Sequence, residues 1–294
     1  MRAQLVGGAS GRWELGEGPL WDPESGVLRW VDIEAGLLLG ARLSADGSLL
    51  DETTLHFDGL VGSLAVASDG GLLVAVDDGL RTVSPSGVTT REVRVVPEGV
   101  RSRLNDGTCD PAGRFLVGSI RQDGRTGQEF LYSVAADLSV RPIVDGITVS
   151  NGIGFTADGS TMYYVDSRPG VIWAFDYDVS TGTPGNRRVV LEPGGTPDGL
   201  AMDADDNLWV AFFGEGQVRC IDGAGTVLEV VEVPVPNPTC PEFAGPDLDL
   251  LVITTARYRL TPEQRADSPE SGALFCVRPG VRGRSATRWA GLTR

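Results

Sequence analysis

The sequence predicts an all-β fold, a six-bladed β-propeller with four-stranded antiparallel blades around a central channel. Three observations predict it. Six segments open on a polar residue in a Gly/Pro-rich tight spot: Glu17 in GEGPLW, Ser63 in GSLAVA, Asn105 in NDGTCD, Asn151 in NGIGFT, Asp198 in PDGLAM and Glu242 in PEFAGP. Consecutive anchors lie 46, 42, 46, 47 and 44 residues apart. A period of about 40 to 50 residues belongs to propeller blades rather than to helical solenoids. Finally, each anchor is followed by a turn signal and a short apolar strand, and nowhere do apolar residues hold a helical spacing for three turns.

The strands follow in order. VLRWVDI (27–33), LLVAV (72–76), RFLVGS (114–119), TMYYVDS (161–167), NLWVAFF (207–213) and LLVITT (250–255) are rich in Val, Ile, aromatics and Thr. Each comes after a turn sequence: DPESG, SDGG, DPAG, ADGS, DADD and GPDLD. A further strand stands behind each of them in LLLGARL, GLRTVS, EFLYSV, VIWAFDY, QVRCID and ALFCVR. A closed array of this kind takes up residues 1–294 as one domain. Its first and last blades must be joined, because an open sheet edge is a pairing hazard. Either Arg12-Trp13-Glu14-Leu15 or Ala286-Thr287-Arg288-Trp289 is expected to supply the outer strand of the sixth blade. The segment 255–272 is the longest insertion and reads as a surface loop. Trp21, Trp30, Trp173 and Trp209 read as packing between blades.

Composition removes several function classes. A net charge of −15 disfavours nucleic acid, which needs clustered Lys and Arg, and disfavours anionic membrane surfaces. No run of about 18 apolar residues is present to span a bilayer, and the N-terminus lacks the apolar core of a signal peptide. Cys109, Cys220, Cys240 and Cys276 lie far apart with no Cys-x-x-Cys pair, and read as buried residues of a reducing compartment. The expectation is a cytoplasmic protein, monomeric by default. His56 is the single histidine, sits in TLHFDG, and has no GxSxG elbow to serve, so it reads as a surface or packed residue. A dinucleotide loop would need a strand-to-helix turn that the chain does not offer.

What remains is metal-assisted chemistry. Glu17, Asn151 and Asp198 are anchors, so a propeller brings them to its channel. Two carboxylates and a carboxamide make a hard oxygen set suited to Ca²⁺, Mg²⁺ or Mn²⁺, with Zn²⁺ or Fe²⁺ also accommodated. Three protein ligands leave positions open for water and substrate. Two bare carboxylates about 4 Å apart repel by roughly 4 kcal/mol at an effective dielectric of 20, a cost that a divalent cation removes. Arg103 and Asn105, two apart on a strand, share a side. A guanidinium fork and a carboxamide there would grip a hydroxylated or acyl substrate. A salt bridge from Arg103 to Asp106 or Asp110 is the alternative. Asp106, Asp110, Asp203 and Asp205 read as turn residues.

At these residues a resemblance becomes specific. GEGPLWDPESGVLRWVDI, RSRLNDGTCDPAGRF, SNGIGFTADGSTMYYVDS, TPDGLAMDADDNLWVA and FAGPDLDLLVITTAR resemble the senescence-marker/gluconolactonase family, the regucalcin-like lactonases, from about residue 12 to residue 278. The resemblance implies a propeller with one divalent metal that hydrolyses sugar-acid lactones. It implies that the family's metal ligands fall on Glu17, Asn151 and Asp198, and its substrate-binding arginine and asparagine on Arg103 and Asn105. Two departures stand out. An acidic substrate contact after the third blade's second strand is replaced by Ser119-Ile120-Arg121-Gln122-Asp123, where Asp123 is the candidate, and the sixth anchor is the acid Glu242.

The expected function is hydrolysis of an aldonolactone to the aldonic acid, the cation polarising the carbonyl and Asp198 acting as general base. Hydrolysis of a phosphoester or organophosphate on the same scaffold is one alternative. A calcium-binding regulatory propeller without turnover is another.

Overall fold

A computed structural model describes residues 1–8, 11–44, 46–192 and 194–291 of the chain. Among these residues the strands assort into six four-stranded antiparallel sheets, the blades of a six-bladed β-propeller. The chain divides into two compact units, Met1–Asp58 with Gly194–Ser285, and Gly59–Pro193 with Ala286–Arg294.

The first unit holds blades one, five and six. Blade one runs Gly16–Asp22, Val27–Asp32, Leu37–Leu43 and Leu49–His56. Blade five runs Pro197–Met202, Leu208–Phe212, Gln217–Ile221 and Val227–Glu232. Blade six runs Pro238–Ala244, Leu250–Thr255 and Phe275–Val277, and its fourth strand is Gln4–Leu5. The N-terminal tail therefore supplies the outer strand, but through Gln4 opposite Cys276 and Leu5 opposite Phe275, upstream of the expected residues 12–15. Those residues are spent otherwise. Trp13 is buried with its ring 5.2 Å from that of Trp30, edge to face, and Leu15 bridges Ala256. Aromatic payload fits a core better than a sheet edge.

The second unit holds blades two, three and four. Their strands are Val61–Val66, Leu72–Val76, Gly79–Val83 and Thr89–Arg94; Ser102–Cys109, Phe115–Arg121, Glu129–Val134 and Val140–Ile147; and Ser150–Phe155, Thr161–Asp166, Val171–Asp178 and Thr183–Leu191. The C-terminal tail joins this unit: Trp289 is buried and forms a parallel bridge with Ala67.

In both units burial falls from the innermost strand outwards. Every residue of Val61–Val66 is buried, whereas Thr89–Arg94 is almost wholly exposed. This gradient explains why second strands such as Leu72–Val76 read as continuous apolar runs and the outer ones as polar segments. Trp21, Trp30 and Trp209 are buried as expected, but Trp173 is half-buried and lies under the guanidinium of Arg187 at 4.4 Å.

The segment 255–272 differs from its expectation by containing a short helix, Pro262–Asp267. Thr261 and Gln264 close a capping box, with Pro262 in the first turn, and no residue of the helix is buried. The Thr-x-x-Gln spacing of TPEQ was the available signal. No helix among the described residues is long and apolar enough to cross a membrane.

Candidate functional site

The six innermost strands share one irregularity. The residue before the anchor position pairs with the end of the second strand: Gly16 with Asp32, Val61 with Val76, Leu104 with Ser119, Ser150 with Asp166, Pro197 with Phe212 and Pro238 with Thr255. Four residues further on, the partner has advanced only three: Leu20 faces Arg29, Ala65 Leu73, Thr108 Leu116, Gly154 Tyr163, Ala201 Trp209 and Glu242 Val252. Each inner strand thus carries a one-residue bulge, a device that re-aims side chains at functional sites.

Counting from this bulge, Glu17, Asn105, Asn151 and Asp198 occupy the same register. Blades two and six correct the expected anchors: the equivalent residues are Gly62 and Thr239, so Ser63 lies one residue beyond the register and Glu242 three beyond. A bulge depends on how many residues the partner strand spends, which polar residue type does not reveal.

In the second unit the register builds a chain of hydrogen bonds. Arg103 Nη1 donates to Asn105 Oδ1 at 2.6 Å and to the Leu104 carbonyl at 3.0 Å. Asn105 Nδ2 donates to the Ser150 carbonyl at 2.7 Å and to Asn151 Oδ1 at 3.0 Å. Asn151 Nδ2 donates to Ser167 Oγ at 2.8 Å. Arg103, Asn105 and Asn151 are therefore brought together, and both asparagines are buried. Asn105 Nδ2, fixed by the Ser150 carbonyl, sets which end of the Asn151 amide is the oxygen end, and Ser167 takes the other end. Sequence reading missed Ser167, although it directly follows the YYVD strand.

Of the neighbouring acids, Asp110 and Asp203 are turn residues as expected, and Asp106 is not. Asp110 is a turn residue held by the Ala112 and Arg114 amides and by the Arg114 side chain, and Asp203 is likewise held by the Asp205 and Asn207 amides. Asp106 lies on the inner strand instead, where it accepts from the Gly107 amide and burial pushes its carboxyl up to about 6. Asp123 does not join the Arg103–Asn105–Asn151 chain. It sits on the loop after Phe115–Arg121, where Arg121 grips it through Nε at 3.1 Å and Nη2 at 3.0 Å and holds its carboxyl below the ordinary range.

In the first unit Glu17 and Asp198 are both buried on the inner strands of blades one and five. Gly18 donates its amide to Glu17 Oε2 at 3.0 Å and has φ +49, a backbone that glycine adopts without strain. The inner strand of blade six packs against both of these strands. A Cβ on Gly199, next to Asp198, would meet Cys240 Sγ at 2.3 Å, so glycine is required by close approach. Glu242 retains some accessible surface, yet burial pushes its carboxyl up to about 8, against the opposing bond from the Trp21 amide at 3.3 Å.

The donor set suits a hard cation. The Nδ2 of Asn151 is committed to Ser167, and its Oδ1 accepts from Asn105 Nδ2 with one of its two lone pairs, leaving the other for a metal. Among the described residues no three His, Cys, Asp or Glu side chains cluster as a metal group. The expected set contains only two carboxylates beside its carboxamide, so it does not depend on such a cluster. His56 is exposed at the end of its strand, and all four cysteines are free.

Comparison with known proteins gives one family. The family model described as SMP-30/Gluconolactonase/LRE-like region matches residues 15–257. Regucalcin of Xenopus laevis is 32% identical over 292 residues, covering 95% of this chain and 96% of that protein. A 6-deoxy-6-sulfogluconolactonase of Pseudomonas putida is 35% identical over 285 residues, covering 94% and 95%. Among solved structures, a calcium-binding protein, regucalcin, from Agrobacterium tumefaciens superposes with a TM-score of 0.91 at 32% identity, covering 98% of each chain.

Proposed function

The chain belongs to the SMP-30/gluconolactonase/LRE-like family, and on that premise we infer that it hydrolyses a sugar-acid lactone to the aldonic acid. The observation that carries this reading is the shared bulge register of Glu17, Asn105, Asn151 and Asp198. Two carboxylates and an amide oxygen from that register, Glu17, Asp198 and Asn151, would hold one divalent cation. When bound, the cation supplies Lewis-acid polarisation of the lactone carbonyl. Calcium has support from the regucalcin relatives, and Mg²⁺, Mn²⁺, Zn²⁺ and Fe²⁺ suit the same donors.

The protein's own groups do the rest. Asp198 takes a proton from the attacking water as its oxygen bonds to the carbonyl carbon. The ring C–O bond then breaks, and that proton passes to the departing ring oxygen, leaving the aldonic acid. Arg103, held in place by Asn105 and Leu104, would grip ring hydroxyls beside the carboxamide of Asn105. Asp123 would reach substrate only by releasing Arg121, so we assign it to the rim of the site. Residues 1–294 are read as one domain, and the free cysteines suit a reducing cytoplasm.

Acid release from a panel of glucono-, galactono-, xylono- and arabinonolactones tests the reading, using metal-stripped protein with each cation restored. Cation-dependent rates above spontaneous hydrolysis support it. A flat panel on protein that binds calcium would favour the second reading, a calcium-binding propeller without turnover, which the description of the Agrobacterium relative supports.

A further inference from the structure

Blade six offers neither a carboxylate nor an amide at the bulge register, yet it touches the strand that carries Glu17 at two points. Thr239, fully buried at that register, donates its hydroxyl to the Gly16 carbonyl at 2.6 Å, one residue before Glu17. Glu242, three residues further along the same strand, accepts from the Trp21 amide at 3.3 Å, four residues after Glu17. The two ties bracket Gly16 to Trp21, the segment that holds the bulge, the left-handed Gly18 and Pro19.

The Thr239 tie is itself anchored. Its Oγ1 lies 2.8 Å from Thr254 Oγ1, which accepts from the Cys240 amide at 3.2 Å. Thr254 is also fully buried, so this pair of hydroxyls is locked by main chain on both sides. Gly16 can approach because it has no side chain: a Cβ there would meet the Thr255 carbonyl at 2.8 Å. Asn151 has a parallel tie: Asn105 of blade three donates to the Ser150 carbonyl at 2.7 Å, one residue before Asn151, as Thr239 does one residue before Glu17, but Asn105 also bonds the Asn151 amide itself.

We propose that Thr239 and Glu242 are positioning residues for Glu17: blade six gives no ligand itself and instead fixes the strand from which the glutamate reaches the cation. This rests on the metal-lactonase reading above. Thr239→Val keeps the side-chain shape but leaves the Gly16 carbonyl buried without its donor. One such bond is worth about threefold to tenfold in an equilibrium. Calcium or manganese titrated into the metal-stripped full-length protein in a calorimeter should therefore show a Kd raised by that factor in Thr239→Val. Thr239→Ser, which restores the hydroxyl, should return to within twofold of wild type. Glu242→Leu, which places at this register the residue that blade one carries as Leu20, should also weaken the cation, and it keeps the test available if the valine variant does not fold. Thermal unfolding of the metal-free variants separates loss of fold from loss of affinity. Variants that are folded and bind the cation like wild type overturn the positioning role alone. A wild-type protein that binds neither cation nor hydrolyses any lactone overturns the reading beneath it as well.

Discussion

Replacing Glu242 by glutamine should flatten the pH dependence of stability between about pH 5.5 and 7.5. Burial pushes this carboxyl from an ordinary 4.5 to about 8, the Trp21 amide opposing it. A folded value above the unfolded one means that the folded state binds the extra proton over that interval. The stabilisation is complete below the unfolded value and is lost as pH rises through the folded one. One proton of difference is worth about 1.4 kcal/mol per pH unit, so the two proteins should diverge by about 2 kcal/mol from pH 5.5 to 7.5. The wild type falls more steeply. Asp106 and Asp166 are also raised by burial, but they are common to both proteins and cancel in the difference. Glutamine keeps an oxygen for the Trp21 amide, so packing is little disturbed. The assay is urea unfolding of the metal-stripped proteins, followed by tryptophan fluorescence, at pH 5.5, 6.5 and 7.5. A wild-type-minus-variant difference that stays constant would refute the argument, because it would mean that Glu242 titrates as a solvated carboxyl.

Three further outcomes are expected. Asp198→Ala should reduce acid release to the spontaneous rate and raise the cation Kd together; near-normal turnover with cation present would remove Asp198 from both roles. Arg103→Lys loses the planar guanidinium whose Nη1 bonds both Asn105 and Leu104, so lactone KM should rise by roughly tenfold with the cation Kd unchanged, measured by initial rates and calorimetry. Gly199→Ala would drive a methyl into Cys240 Sγ and should lower stability by about 1–3 kcal/mol in denaturant unfolding, a cost that Cys240→Ala in the same chain should partly relieve.

The six-fold period was legible because each blade must spend a turn sequence and a run of β-branched or aromatic residues, and both leave marks in composition. The expected second strands match the observed ones to within a residue or two, as Leu72–Val76 and Leu250–Thr255 show. Arg103, Asn105 and Asn151 were legible for the same reason, since a polar residue in an otherwise buried inner strand calls for a partner. What composition does not carry is registration between strands. Ser63 and Glu242 have the polarity of an anchor, but the pairing of Val61 with Val76 and Pro238 with Thr255 passes the register to Gly62 and Thr239. Loop geometry is hidden in the same way: Asp123 is committed to Arg121 two residues earlier. The offset of three residues changes the chemistry, not only the address. At the register, Glu17 lies beside the Gly18 amide on a strand clamped at both ends. Three residues along, a second glutamate meets one backbone amide and a buried wall, and is driven towards the neutral acid. The same side chain is thus proposed as a ligand in one blade and as a strut in the next, and the position of the bulge decides between them.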